Sequence, residues 1–171
     1  MSDKDNDKRD DASSSVDPGS EDVKRSRRVA RDQARLVRLA ATVVGAVFLL
    51  VGIAGFIPGI TTDYDQLSFA GHESSAELLG IFQVSVLHNI VHLLFGVAGL
   101  AMARTAAGAR NYLIGGGVIY AVLWLYGLLI GDTGPANFVP VNMADDWLHL
   151  VLAVGMIGLG VLLGRDRRAL R

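Results

Sequence analysis

Four apolar runs, each of bilayer-crossing length, constrain this chain more than any other feature. They fall at residues 36–57, in a segment ending near Ala103, at 112–130 and at 147–164. A helix needs about 20 apolar residues to cross the hydrocarbon core. Lipid offers no water to backbone amides, so such runs become helices. The chain is 51% hydrophobic with a mean hydropathy of +0.38, beyond what a soluble domain of its size carries. The expected fold is all-α: a bundle of four transmembrane helices.

Charge orients the bundle. Ten of the 16 Lys and Arg residues lie at or before Arg38; Arg104 and Arg110 make the middle turn, and four follow Gly164. None lies in the loops after the first and third spans, which carry acids and His72. By the positive-inside rule both termini and the middle turn are cytoplasmic. The expected location is the inner (plasma) membrane.

Three segments follow. Residues 1–35 form a cytoplasmic tail, 36–165 the transmembrane domain and 166–171 a short cytoplasmic end. The first 22 residues are polar, carry eight acids against three bases, and have no apolar period or signal-peptide core. The tail is therefore expected to be disordered. From Lys24 to Arg38 the sign reverses, with seven basic residues against Asp32. Such juxtamembrane clusters attract anionic lipid, and Val29, Leu36 and Val37 allow this one to continue as a helix into the bilayer. Ser74-Ser75-Ala76-Glu77 fits a capping box opening the second helix.

The polar residues inside the apolar runs are the candidate site. Ser85, His88, His92, Gly96 and Gly99 share one face of the second helix, with Asn89 at its border. Asp146, His149, Ala153 and Gly160 make a matching stripe on the fourth. Ionisable groups at bilayer depth face protein or a water-filled cavity, and small residues favour close helix contact. The second and fourth helices are thus expected to pack together, with these side chains between them near the outer face. The stretch around Val84-Ser85…His92 aligns with that around Val141-Asn142…His149. The alignment raises a duplicated helical hairpin, its halves related by an axis along the membrane normal.

Several chemistries fit that stripe. Ser85, Asn89 and Asp145 serve as a polar structural cluster if helices simply hydrogen-bond to one another. His88 and His92, at i and i+4, with His149 and Asp146, form a nitrogen–oxygen donor set for a transition metal. Histidines from two helices can also hold a haem. A proton path is disfavoured, because the cytoplasmic halves of the spans have no ionisable residue. The absence of cysteine removes disulfides, thiolate metal sites and iron–sulfur clusters. Asp63-x-Asp65 lacks the glycine and glutamate of an EF-hand. Gly115-Gly116-Gly117 lacks the strand and the Lys-Ser/Thr of a phosphate loop. The basic tail lies against the membrane, which argues against nucleic acid as a partner. A second copy or another membrane protein fits Gly160-x-x-x-Gly164.

Gly55-Phe56-Ile57-Pro58-Gly59, the run GIFQVSVLHNIVH at 80–92, and the segment 138–149 give the chain its resemblance. It is similar to domain-of-unknown-function family 4383, small four-span membrane proteins of bacteria, mainly actinobacteria. Similar proteins have Val-Asn where this chain has Val84-Ser85. The resemblance implies the topology and no activity. The leading reading is a membrane protein of non-enzymatic, accessory type bearing the histidine/asparagine/aspartate cluster. The alternative is a metal- or haem-binding redox protein.

Overall fold

The computed structural model describes residues 18–71, 74–130 and 142–164. Expectations about the first 17 residues, His72, Glu73, the loop at 131–141 and the tail from 165 lie outside the described residues.

The first helix, α1, runs from Pro18 to Ala54, 37 residues. At 1.5 Å per residue it is about 55 Å long. The helix expected through the basic stretch is therefore continuous with the first span, and it also takes in residues 18–22, which were expected to be disordered. Arg, Lys and Ala there are good helix formers, no breaker interrupts them, and Lys24 pairs with Glu21 at 2.8 Å. The end of α1 is set by Gly55, Pro58 and Gly59, the last at φ +93°.

The loop that follows is structured. Strands β1 (Thr61–Thr62), β2 (Glu77–Leu78) and β3 (Phe82–Gln83) form an antiparallel sheet in that order. The bundle itself is all-α, and these three two-residue strands belong to the connection between its first two helices. Ser74 does not cap a helix; its hydroxyl donates to the Val84 carbonyl at 2.5 Å, and Glu77 lies in β2. The chain reverses at Leu79 and Gly80, both at positive φ, which a helix from Ser74 cannot accommodate. The second helix, α2, starts later, at Val86, and ends at Met102. Ser85 caps it, accepting the His88 N–H at 3.1 Å.

Helix α3 spans Ala106–Ile130 and α4 spans Met143–Leu163. Asn142 and Asp145 open α4 with a reciprocal capping box, each accepting the other's N–H at 3.0 Å. Helices α1, α3 and α4 are long and apolar enough to cross a membrane; α2 is apolar but shorter.

The helices pack as two hairpins, α1 with α2 and α3 with α4. The second and fourth helices, expected side by side, are not a packed pair. Each polar stripe instead finds a glycine-bearing face on the helix just before it. Phe48, Tyr112, Leu113, Tyr120, Ala153 and Met156 lie in the main buried core, and Ala76, Leu78 and Val84 make a smaller one beneath the sheet.

Candidate functional site

Glycine positions the stripes. A Cβ on Gly45 would stand 3.0 Å from the Gly96 carbonyl oxygen and 3.0 Å from the Leu100 nitrogen. In the other hairpin a Cβ on Gly117 would meet the Ala153 oxygen and the Ile157 nitrogen at the same two distances. Both hairpins therefore cross with backbone against backbone, as helices do in lipid. Toward the loop end, the Asn89 amide occupies the space above Gly55, and the Asp146 carboxylate occupies that above Gly127. Between the two levels, His92 lies against Phe48, centroids 5.3 Å apart and planes at 45°. His149 lies against Tyr120 at 5.3 Å and 50°.

These pairs are related by one constant offset between α1 and α3 and another between α2 and α4. Arg38 and Arg110 obey the first as well. Arg38 Nε donates to the carbonyl of Ala103, the C-cap of α2, at 3.0 Å. The Arg110 stem lies over Gly164, the C-cap of α4. A repeated hairpin explains all of this together. Where the halves meet, Phe48 and Tyr120 stack on each other at 5.5 Å and 21°.

His92 and His149 both point into the protein. Ring contacts link His92 to Phe48, Phe48 to Tyr120 and Tyr120 to His149. His88 stacks on His92 at 4.3 Å, and His92 Nδ1 lies 3.0 Å from the His88 carbonyl oxygen. Nδ1 is then the protonated nitrogen. Asp145 is 2% exposed, and its Oδ2 accepts the N–H groups of Asn142 at 3.0 Å and Gln83 at 3.1 Å. Asn142 Nδ2 donates to the Ile81 carbonyl at 2.8 Å. These two residues join the start of α4 to the end of the loop sheet.

The expected metal set of His88, His92, His149 and Asp146 is therefore corrected. Among the described residues no group of three or more His, Cys, Asp or Glu is placed to hold a metal ion. Asp146 belongs to Gly127, each of two histidines to its own aromatic partner, and Asp145 to a cap. The single cluster of His88, Asn89, His92, His149, Asp145 and Asp146 between the second and fourth helices resolves into two equivalent half-sites. Ser85 and Asp145 are capping residues, and Asn89 is 1% exposed and wedged against α1. Asn89 Nδ2, His149 Nδ1 and the Tyr112 hydroxyl are buried with no hydrogen-bond partner among the described residues.

Sequence reasoning passed over Phe48 and Gly127 and gave Gly55 and Tyr120 no part in the site. A signal was present: Arg38, Gly45, Phe48 and Gly55 recur in register as Arg110, Gly117, Tyr120 and Gly127.

A family model described as Domain of unknown function (DUF4383) matches residues 38–162. The chain belongs to that family. No curated protein and no solved structure matches it. The DUF4383 segment opens at Arg38, the residue that caps α2, and takes in both hairpins and the loop sheet. It is a multi-pass membrane unit associated with the lipid bilayer. The basic part of α1 before Arg38 lies outside the DUF4383 match.

Proposed function

We propose that the chain is a four-span plasma-membrane protein that presents a basic helix, residues 18–38, to anionic lipid at the cytoplasmic surface. In this reading 36–165 is the membrane domain, with 1–35 and 166–171 in the cytoplasm. The observation that carries it is the unbroken course of α1. One rigid helix joins the packed hairpins to Lys24, Arg25, Arg27, Arg28, Arg31 and Arg35, all exposed. Orientation is supported by Arg38 and Arg110, which sit over the C-caps of α2 and α4 and so mark one common end. The described outer-loop residues at the opposite end carry Asp63, Asp65 and Glu77 and no basic side chain.

Distance decides how much of the helix the lipid feels. Each basic residue near an anionic surface contributes about 1 kcal/mol, and the field decays over roughly 8–10 Å at cellular ionic strength. At 1.5 Å rise, Arg35 and Arg31 fall within about 10 Å of Arg38, whereas Lys24 lies about 20 Å off. An upright helix is held chiefly by the two turns that precede Arg38.

Native mass spectrometry of the detergent-purified chain, offered phosphatidylglycerol and phosphatidylcholine together, tests the reading. Phosphatidylglycerol is expected to be retained preferentially, and the preference to shrink in an Arg28→Gln/Arg31→Gln/Arg35→Gln variant. Equal retention of both lipids by the wild-type chain refutes it.

A further inference from the structure

Helix α2 is too short for the bilayer it is read as crossing. Its 17 residues rise about 25 Å, against a hydrocarbon core of about 30 Å. Its cytoplasmic end is fixed level with Arg38, which bonds the Ala103 carbonyl. The missing length therefore falls at the other end, where the chain is the loop sheet.

That sheet has two properties of a segment at lipid depth. The first is hydrogen-bond closure. Non-helical backbone near hydrocarbon must be satisfied within the protein. Here Thr61 Oγ1 donates to the Ala54 carbonyl, Gln83 Nε2 to that of Ser74, and Asn142 Nδ2 to that of Ile81. The second is an apolar rim. The turn between β2 and β3 displays Leu79, 64% exposed, and Ile81, 52% exposed. Leu79 takes φ +57°, a left-handed conformation that a bulky side chain rarely adopts. Its N–H donates to the Ile60 carbonyl at 2.9 Å, and Ile60 too is exposed. Exposed apolar residues flank this patch on both sides. Ile57 adjoins it at the end of α1, and the Asn142–Ile81 bond brings it to the start of α4, where Trp147 is exposed.

We propose that the β2–β3 turn is seated in the outer lipid interface, where Leu79, Ile81 and Ile60 contact outer-leaflet lipid and complete the short second span. The loop between the first two spans thus has a membrane-facing side. The proposal rests on the four-span reading, and its test separates the two.

The chain has no cysteine, so single spin labels are placed without background. Leu79→Cys, Ile81→Cys and Ile60→Cys report on the rim, Asp65→Cys on the aqueous side of the same loop, and Leu94→Cys on mid-α2. In liposomes, collision with oxygen, which concentrates in lipid, is compared with collision with a water-soluble nickel chelate. Oxygen is expected to dominate several-fold at 79, 81 and 60, as at 94, and nickel at 65. Nickel dominating at the rim while oxygen dominates at 94 overturns the proposal and leaves the four spans standing. Nickel dominating at 94 overturns both. Should Leu79→Cys not fold, Ile81→Cys and Ile60→Cys decide.

Discussion

Gly55 and Gly127 are the residues on which each half-site most directly depends. A Cβ at either would enter the side chain opposite, Asn89 or Asp146, and both of those are held by packing. Gly55→Ala and Gly127→Ala are therefore each expected to cost about 1–3 kcal/mol or more through overpacking. Gly155→Ala is the control, because nothing lies within 4 Å of its added carbon. It should be neutral or raise stability by up to about 1 kcal/mol, the usual helix preference for alanine. Equilibrium unfolding of the three variants in mixed micelles checks the ordering. Tyr112→Phe removes a buried hydroxyl that has no partner among the described residues, so its melting temperature should stay level or rise. At this scale the sequence was half legible. Helical spacing alone points His92 and His149 inward. It does not reveal their ring partners, because Phe48 and Tyr120 look like any apolar residue of a membrane span until the helix faces are matched.

Helix starts are where local signals competed. Ser74-x-x-Glu77 has the letters of a capping box, yet the turn at Leu79 and Gly80 prevents the helix it would open. Ser85 lacks an acidic residue three positions on, yet it caps α2. The expected start was thus early by about three turns, and the sheet was hidden because two-residue strands carry no period to read. Asp145 makes the element-scale prediction. Both N–H donors are accepted by the same oxygen, Oδ2. Asp145→Asn keeps a carbonyl oxygen there and is expected to be nearly neutral. Asp145→Ala strands two buried donors at roughly 1–3 kcal/mol each and should detach the start of α4 from β3. Melting temperatures of the two variants, with hydrogen exchange at the Gln83 amide, distinguish a cap that needs an acceptor from one that needs a charge.

The whole molecule is two hairpins, and their pairing was the part least legible from sequence. The stripes on the second and fourth helices are similar enough to suggest a mutual seam, and periodicity does not tell which helix a stripe will meet. Glycine spacing on α1 and α3 settles it, because only those faces admit Asn89, Asp146 and the close crossings. What then joins the hairpins is aromatic. Phe48 and Phe95 from one meet Tyr120 and Tyr112 from the other, with Phe48–Tyr120 stacked at 5.5 Å, Phe95–Tyr112 tilted at 5.1 Å and Phe95–Tyr120 edge-on at 5.8 Å. Lipid gives apolar helices no hydrophobic drive to associate, so ring packing carries much of the cohesion between halves. Phe48→Ala and Tyr120→Ala are each expected to cost about 3–5 kcal/mol. The double variant should fall short of the sum by about 0.5–1.5 kcal/mol, the coupling of one stacked pair. The cycle needs a reference, and Phe48→Ala with Leu162→Ala supplies it, since Leu162 is an exposed residue near the end of α4. That pair should add. Unfolding free energies measured in one micelle system close both cycles. Additivity at Phe48 and Tyr120 would mean that the halves are held by something other than the rings between them.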